Sequence, residues 1–318
     1  MSTSRLENFP VSFFSMIMGM AGLTIAWEKA HRTLGLGSQL AHSLILVTCS
    51  IFVVLLLIYS TKVLRYRQAV SEELHHPVKL NFFPSVSISL LLISIALLPI
   101  APGIAEVLWI TGVGLHFVIT LYVMRVWIHH EHFEIHHINP AWFIPVVGNV
   151  LVPIAGTHLG YYEISWFFFS IGMVFWVVLF TIIFYRVLFH QPMPAKLLPT
   201  LFILIAPPAV GFLSYTALTV ELDAFGRVLY FAALFLTILL ITQIGYFTKL
   251  KFFLSWWAYS FPLAAITIAT LRMFELTGKV GFYYMGWGFL ALISTVVLFL
   301  LFKTARAISG QNICVPEG

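Results

Sequence analysis

Residues Leu44–Tyr59 read LILVTCSIFVVLLLIY, a stretch with no charge that is apolar on every face of a helix. A strand of a membrane barrel would alternate apolar and polar side chains over about 10 residues, so this stretch is helical. It forms the middle of the apolar segment 40–61, and a bilayer-crossing helix needs roughly 20 such residues. Nine more segments of this kind occur at 9–30, 80–99, 104–127, 141–159, 163–188, 196–219, 225–247, 254–276 and 281–303. A chain of 318 residues that is 60% hydrophobic and 9% charged, with a mean hydropathy of +0.98, lacks the polar surface of a soluble globule. The expectation is therefore an all-α polytopic membrane protein. Its ten transmembrane helices would form five tandem hairpins, in one transmembrane domain spanning 1–318. Arg5 and Glu7 precede the first segment and no small-residue cleavage pattern follows it, so it reads as a span and not as a cleavable signal.

The basic residues orient the chain, because cytoplasmic loops retain Lys and Arg. With both termini cytoplasmic, that side holds Arg5, Lys62, Arg65, Arg67, Lys79, Arg125, Arg186, Lys196, Lys249, Lys251, Lys303 and Arg306. The opposite side holds Lys29, Arg32, Arg227, Arg272 and Lys279, so the 17 basic residues divide twelve to five. The net charge of +5 is then a matter of topology, and nucleic acid is not an expected partner. Lys62, Arg65, Arg67, Lys249 and Lys251 either fix that topology or also concentrate anions at the cytoplasmic face. Cys49 and Cys314 are separated by topology, so neither a disulfide nor a cysteine metal site is expected.

The even segments are bulky and uniform, as in Val177–Phe189, Val228–Phe247 and Leu292–Phe302, which suits lipid. The odd segments carry small, hydroxylated or proline residues at helical steps. These are Ser12, Ser15, Gly19 and Gly22 in the first, and Pro84, Ser87, Leu91 and Ser94 in the third. The fifth has Pro145, Asn149, Val152 and Gly156, and the seventh Thr200, Ile203, Pro207, Val210 and Ser214. In the ninth, Ala258, Phe261, Ala265 and Ala269 share a face, with Pro262 adjacent. One reading is close packing of helices, with Ser and Thr bonding their own backbone. The recurrence in all five odd segments instead favours five inner helices around a hydrated path, where proline-freed carbonyls find partners. Residue pairs ending in proline punctuate the repeat: Phe9-Pro10, Phe83-Pro84, Ile144-Pro145, Leu198-Pro199 and Phe261-Pro262.

None of the acidic residues falls at mid-membrane, and Arg272 is the charge expected inside an inner helix. Proton- or cation-coupled carriers commonly need buried ionisable groups; a neutral, weakly polar path favours anions or neutral solutes. The run His129-His130-Glu131-His132-Phe133-Glu134-Ile135-His136-His137 has metal-ligating residue types but no HExxH order, and reads first as a solvated loop, with a metal site and a pH-responsive surface as the alternatives. No phosphate loop, nucleophile elbow or paired catalytic carboxylate is present, so neither an enzyme nor a cofactor is expected.

Several short motifs, in order, resemble those of the tellurite-resistance/dicarboxylate transporter family, which includes TehA-like proteins and the plant slow anion channels. They are Phe9-Pro10 through Gly19 and Trp27, His76-Pro77-Val78-Lys79, and Ala105-Glu106-Val107-Leu108. Pro140 with Pro145, Ala206-Pro207, and Trp257-Ala258-Tyr259-Ser260-Phe261 complete the set. The resemblance implies a homotrimer in the bacterial inner membrane, each protomer with a pore of five inner helices. It also implies that a ninth-helix phenylalanine, here Phe261, plugs the pore. Pro262 and Ser15 depart from the family pattern, where small residues such as Gly are expected. The implied function is a passive channel for small anions such as chloride or nitrate. A carrier or exporter of dicarboxylate, sulfite or tellurite-like oxyanions is the alternative.

Overall fold

The computed structural model describes residues 4–129, 133–311 and 313–315, and all its regular elements are helical. Ten apolar helices follow one another: α1 (Val11–Leu34), α2 (Gln39–Arg65), α3 (Lys79–Leu97), α4 (Pro102–His129), α5 (Pro140–Gly156), α6 (Tyr162–Phe189), α7 (Leu198–Leu218), α8 (Ala224–Ile241), α9 (Leu254–Thr277) and α10 (Val280–Ser309). Among the described residues, nine of them are long and apolar enough to cross a membrane, and α5 is shorter. Several boundaries differ from expectation, α1 running on to Leu34, α2 to Arg65 and α10 to Ser309. The segment 225–247 is interrupted after Ile241, where the Thr242 hydroxyl bonds the Leu239 carbonyl at 2.7 Å and Ile244–Phe247 forms a separate turn of helix. The loop after α2 contains a helix of its own, Arg67–His75. Asp223 caps α8, its side chain accepting from the Gly226 amide at 2.9 Å. That bond and one from the Tyr215 hydroxyl hold its carboxyl below the usual range.

Every odd helix opens in 3-10 geometry, at Val11–Phe13, Lys79–Phe82, Pro140–Phe143, Leu198–Ile205 and Leu254–Tyr259. In four of the five a proline stands within the first three residues of the α-helical part: Pro84, Pro145, Pro207 and Pro262. Proline donates no amide and its ring collides with the carbonyl four residues back, so the preceding turn tightens to i→i−3 bonds. In the first α-helical turn its missing donor is no loss. The bends in the odd helices are thus changes of helix type, and Pro207 marks the junction in α7, where the pair Leu198-Pro199 lies at the start of the 3-10 run. The 3-10 form also lengthens a short span. Four such residues at about 2 Å each and thirteen α-helical ones at about 1.5 Å carry α5 through roughly 28 Å, close to the hydrocarbon thickness.

The odd and even helices differ sharply in burial. In the most apolar windows of α1, α3, α7 and α9, 72, 72, 72 and 67% of residues are buried, against 28, 28, 28, 39 and 28% for α2, α4, α6, α8 and α10. Packing explains the difference. Each odd helix touches the next, α1 to α3, α3 to α5, α5 to α7, α7 to α9 and α9 back to α1, so the odd helices close into a ring. Each even helix covers a seam of that ring: α2 rests on α1 and α3, α4 on α3 and α5, α6 on α5 and α7, α8 on α7 and α9, and α10 on α9 and α1. A step of two helices along the chain maps these contacts onto themselves.

Small residues allow the inner ring to be this tight. A Cβ at Gly19 would fall on the Ser260 hydroxyl, and one at Gly22 would lie 2.8 Å from the Ala264 methyl. These two glycines therefore seat α1 directly against α9.

Candidate functional site

The ring encloses a cavity of about 470 Å³ that opens on the side opposite the chain termini. All five odd helices border it, and their lining residues repeat at the same steps of three and four. The deepest tier is Gly22, Leu92, Leu151, Val210 and Ala265. Three residues further along each helix stand Ile25, Ile95, Ile154, Leu213 and Ile268, a collar of branched aliphatic side chains. All five are half-buried, as expected for side chains that meet a void on one side. Four residues further still, Lys29, Pro99, His158, Ala217 and Arg272 form the rim. Steps of three and four keep each set on one helix face, so the tiers are successive levels of a funnel.

Phe261 borders the bottom of this funnel, one turn below Ala265. It is 6% exposed, and its ring lies 3.6 Å from where a Cβ of Gly22 would stand. A larger cavity of about 520 Å³ lies outside the ring, in an apolar crevice between α6 and α8 lined by residues such as Trp176, Phe180 and Phe235. It faces away from the axis.

Of the residues expected along the path, Gly22, Val210, Phe261 and Ala265 border the cavity. Ser87, Asn149 and Ser94 are engaged elsewhere. The Ser87 hydroxyl bonds the Pro84 carbonyl and lies 2.9 Å from His116 Nδ1 of α4. The Pro145 carbonyl gathers three partners, His116 Nε2 at 2.9 Å, Asn149 Nδ2 at 2.7 Å and the Thr120 hydroxyl at 3.4 Å. Ser94 donates to the Ala105 carbonyl at 2.7 Å. Around Pro153, which lies inside α5, Trp109 donates to the Val152 carbonyl at 2.9 Å and Ser214 to that of Val150. Gly19 serves the α1–α9 contact, and Pro84, Pro145, Pro207 and Pro262 occupy the helix-type junctions. Ser12 and Ser15 are half-buried near the other end of α1. The hydroxyls of Thr24, Thr267 and Thr270 bond carbonyls four residues back. The funnel wall below the rim is consequently apolar, where a weakly polar one was expected.

Charge collects at the rim. Lys29 Nζ and Arg272 Nη1 approach the same oxygen of Glu275, at 2.5 and 3.2 Å, and the Thr33 hydroxyl donates to the other at 2.6 Å. Arg32 pairs with Glu28 at 2.9 Å. Arg272 is therefore joined toward this end of the inner helices by Glu28, Lys29 and Arg32 of α1 and by Glu275 of α9.

A second polar cluster lies at the opposite end and corrects the reading of Lys62 as a surface charge. Its side chain is 2% exposed, and its ammonium donates to Glu73 at 2.9 Å and to the Phe9 carbonyl at 2.9 Å. Tyr59 and the Val11 amide also donate to Glu73, at 3.0 and 3.3 Å. Glu73, on helix Arg67–His75, thus satisfies the first free amide of α1. In the histidine-rich loop, His130, Glu131 and His132 lie outside the described residues. Glu134 and His137 there cap a short 3-10 turn, and no group able to hold a metal occurs among the described residues.

Comparison with known proteins places these features in a family. A family model described as voltage-dependent anion channel, SLAC1, matches residues 8–305. S-type anion channel SLAH3 of Arabidopsis thaliana is 29% identical over 94% of this chain and 48% of its own length. An uncharacterized transporter of Methanocaldococcus jannaschii is 25% identical over 97% of both chains. The tellurite resistance protein TehA homolog of Haemophilus influenzae is 24% identical over 96% of this chain and 94% of its own. The chain spans about half the length of the plant relatives SLAH3 and SLAH2, 48 and 54% of each.

Proposed function

Since the chain belongs to the SLAC1 voltage-dependent anion channel family, we propose that it is a passive channel for small monovalent anions such as chloride or nitrate, closed by the Phe261 ring. In this reading all ten helices cross the membrane as five hairpins, α5 included, and the odd helices line the pore. Both termini face the cytoplasm of a bacterial cell, and the protomers assemble as homotrimers in the inner membrane. The observation that carries the reading is the position of Phe261 at the foot of a funnel bordered by all five odd helices.

The chemistry is electrodiffusion. An anion attracted by the rim passes the aliphatic collar, sheds part of its water, and is held by no fixed charge below it, so it leaves quickly. An aromatic ring across the path blocks it sterically and by excluding water. Removal of that ring is expected to open the path: proteoliposomes with Phe261→Ala should release chloride many times faster than wild type, and equal rates would remove the gate assignment. The likeness to a tellurite resistance protein favours as second reading a carrier or exporter of dicarboxylate, sulfite or tellurite-like oxyanions. Flux that saturates and follows an imposed proton gradient would select the carrier; flux that ignores the gradient selects the channel.

A further inference from the structure

The rim holds three cations and two carboxylates, and their pairing is uneven. Lys29 and Arg272 stand at equivalent levels of adjacent inner helices, both border the cavity, and both meet the single oxygen Oε2 of Glu275. The neighbouring pair Arg32 and Glu28 is balanced in itself. One positive charge is therefore left over at the funnel mouth. An ammonium and a guanidinium together carry eight N–H donors, far more than one carboxylate can accept, and the side chains of Lys29 and Arg272 retain 22 and 27% of their exposure. Glu275 itself is steadied by Thr33, so it occupies the place of an anion while tethered to the helix that carries Phe261.

The geometry points to a binding site for a small inorganic anion at this rim, bridged by Lys29 and Arg272, with Glu275 as a built-in competitor for it. An anion entering the funnel takes up the unfilled donors and the uncompensated charge, and the carboxylate weakens its hold so that it can move on. The site rests on the reading of the funnel as an anion path, and its test separates the two.

Full-length protein in detergent, prepared in gluconate, is titrated with nitrate while its unfolding midpoint is followed. Wild type should show a saturable rise. Lys29→Gln and Arg272→Gln should shift the half-saturating concentration up by about tenfold, the loss of one charge-assisted contact, and Glu275→Gln should shift it down. Curves that coincide for all four proteins overturn the site, because an ionic-strength effect would act on each alike. The conduction arm uses Phe261→Ala as background, where Lys29→Gln should reduce single-channel conductance at low chloride roughly two- to fivefold and Glu275→Gln should raise it. If the binding pattern holds while Phe261→Ala passes no current, the rim site stands and the path reading fails. If Phe261→Ala conducts and the rim variants change neither binding nor conductance, the path stands and the site falls.

Discussion

Two single side chains stand out in this protein: Phe261, at the foot of the funnel and proposed to close it, and Lys62, which holds the start of α1. Lys62 and Glu73 are both buried, 2 and 8% exposed in their side chains, and together they anchor the Phe9 carbonyl and the Val11 amide where α1 begins. Removing one member leaves the other charge buried alone, which costs about 3–5 kcal/mol. Lys62→Met should therefore lower the unfolding midpoint strongly in chemical denaturation of the micellar protein. The double variant Lys62→Met/Glu73→Gln should recover much of the loss; equal losses in single and double variants would contradict the coupling. The sequence showed Lys62 as one of a group of cytoplasmic basic residues and gave no sign of its partner, because the two are joined only once Arg67–His75 folds back under α2. His116 was missed for a similar reason: a lone histidine in an apolar segment looks unremarkable until Ser87 and the Pro145 carbonyl are found beside it.

At the scale of helices, the contrast between odd and even segments was legible because bulk and smallness are properties of composition. The lining face was legible in part. Gly22, Val210, Phe261 and Ala265 lie on faces read from the sequence and border the funnel, whereas most of the hydroxylated residues and prolines serve helix contacts and helix-type junctions, and the collar is Ile25, Ile95, Ile154, Leu213 and Ile268, ordinary core residues by type. Their signal was the register shared with Lys29 and Arg272, two charges ending otherwise apolar faces at steps of three and four. Accessibility tests this assignment. With Cys49 replaced by Ser, Ile154→Cys should react with a small membrane-impermeant thiol reagent added from the side opposite the termini. Val152→Cys, fully buried on the same helix, and Leu57→Cys, 63% exposed on an even helix facing lipid, should not. Reaction at Leu57→Cys but not at Ile154→Cys would reverse inside and outside.

For the whole molecule, closure of the odd helices into a ring follows from one pattern of contacts repeated five times: each odd helix lies beside the previous odd one, and the even helix after it covers the seam ahead. The 3-10 openings repeat in step, although only four carry a proline at the junction and α1 relies on Pro10 and Glu73 instead. The fivefold order is thus one of contacts and levels, more regular than the proline positions suggest. It makes the funnel continuous from the Lys29–Arg272 rim to Phe261, the ring proposed to close it. The decisive measurement is a series at that position, recorded as chloride currents in planar bilayers under a chloride gradient. Currents should rise in the order Phe261, Phe261→Leu, Phe261→Ala and reverse at the chloride equilibrium potential. Currents independent of the side chain at 261 would contradict the account.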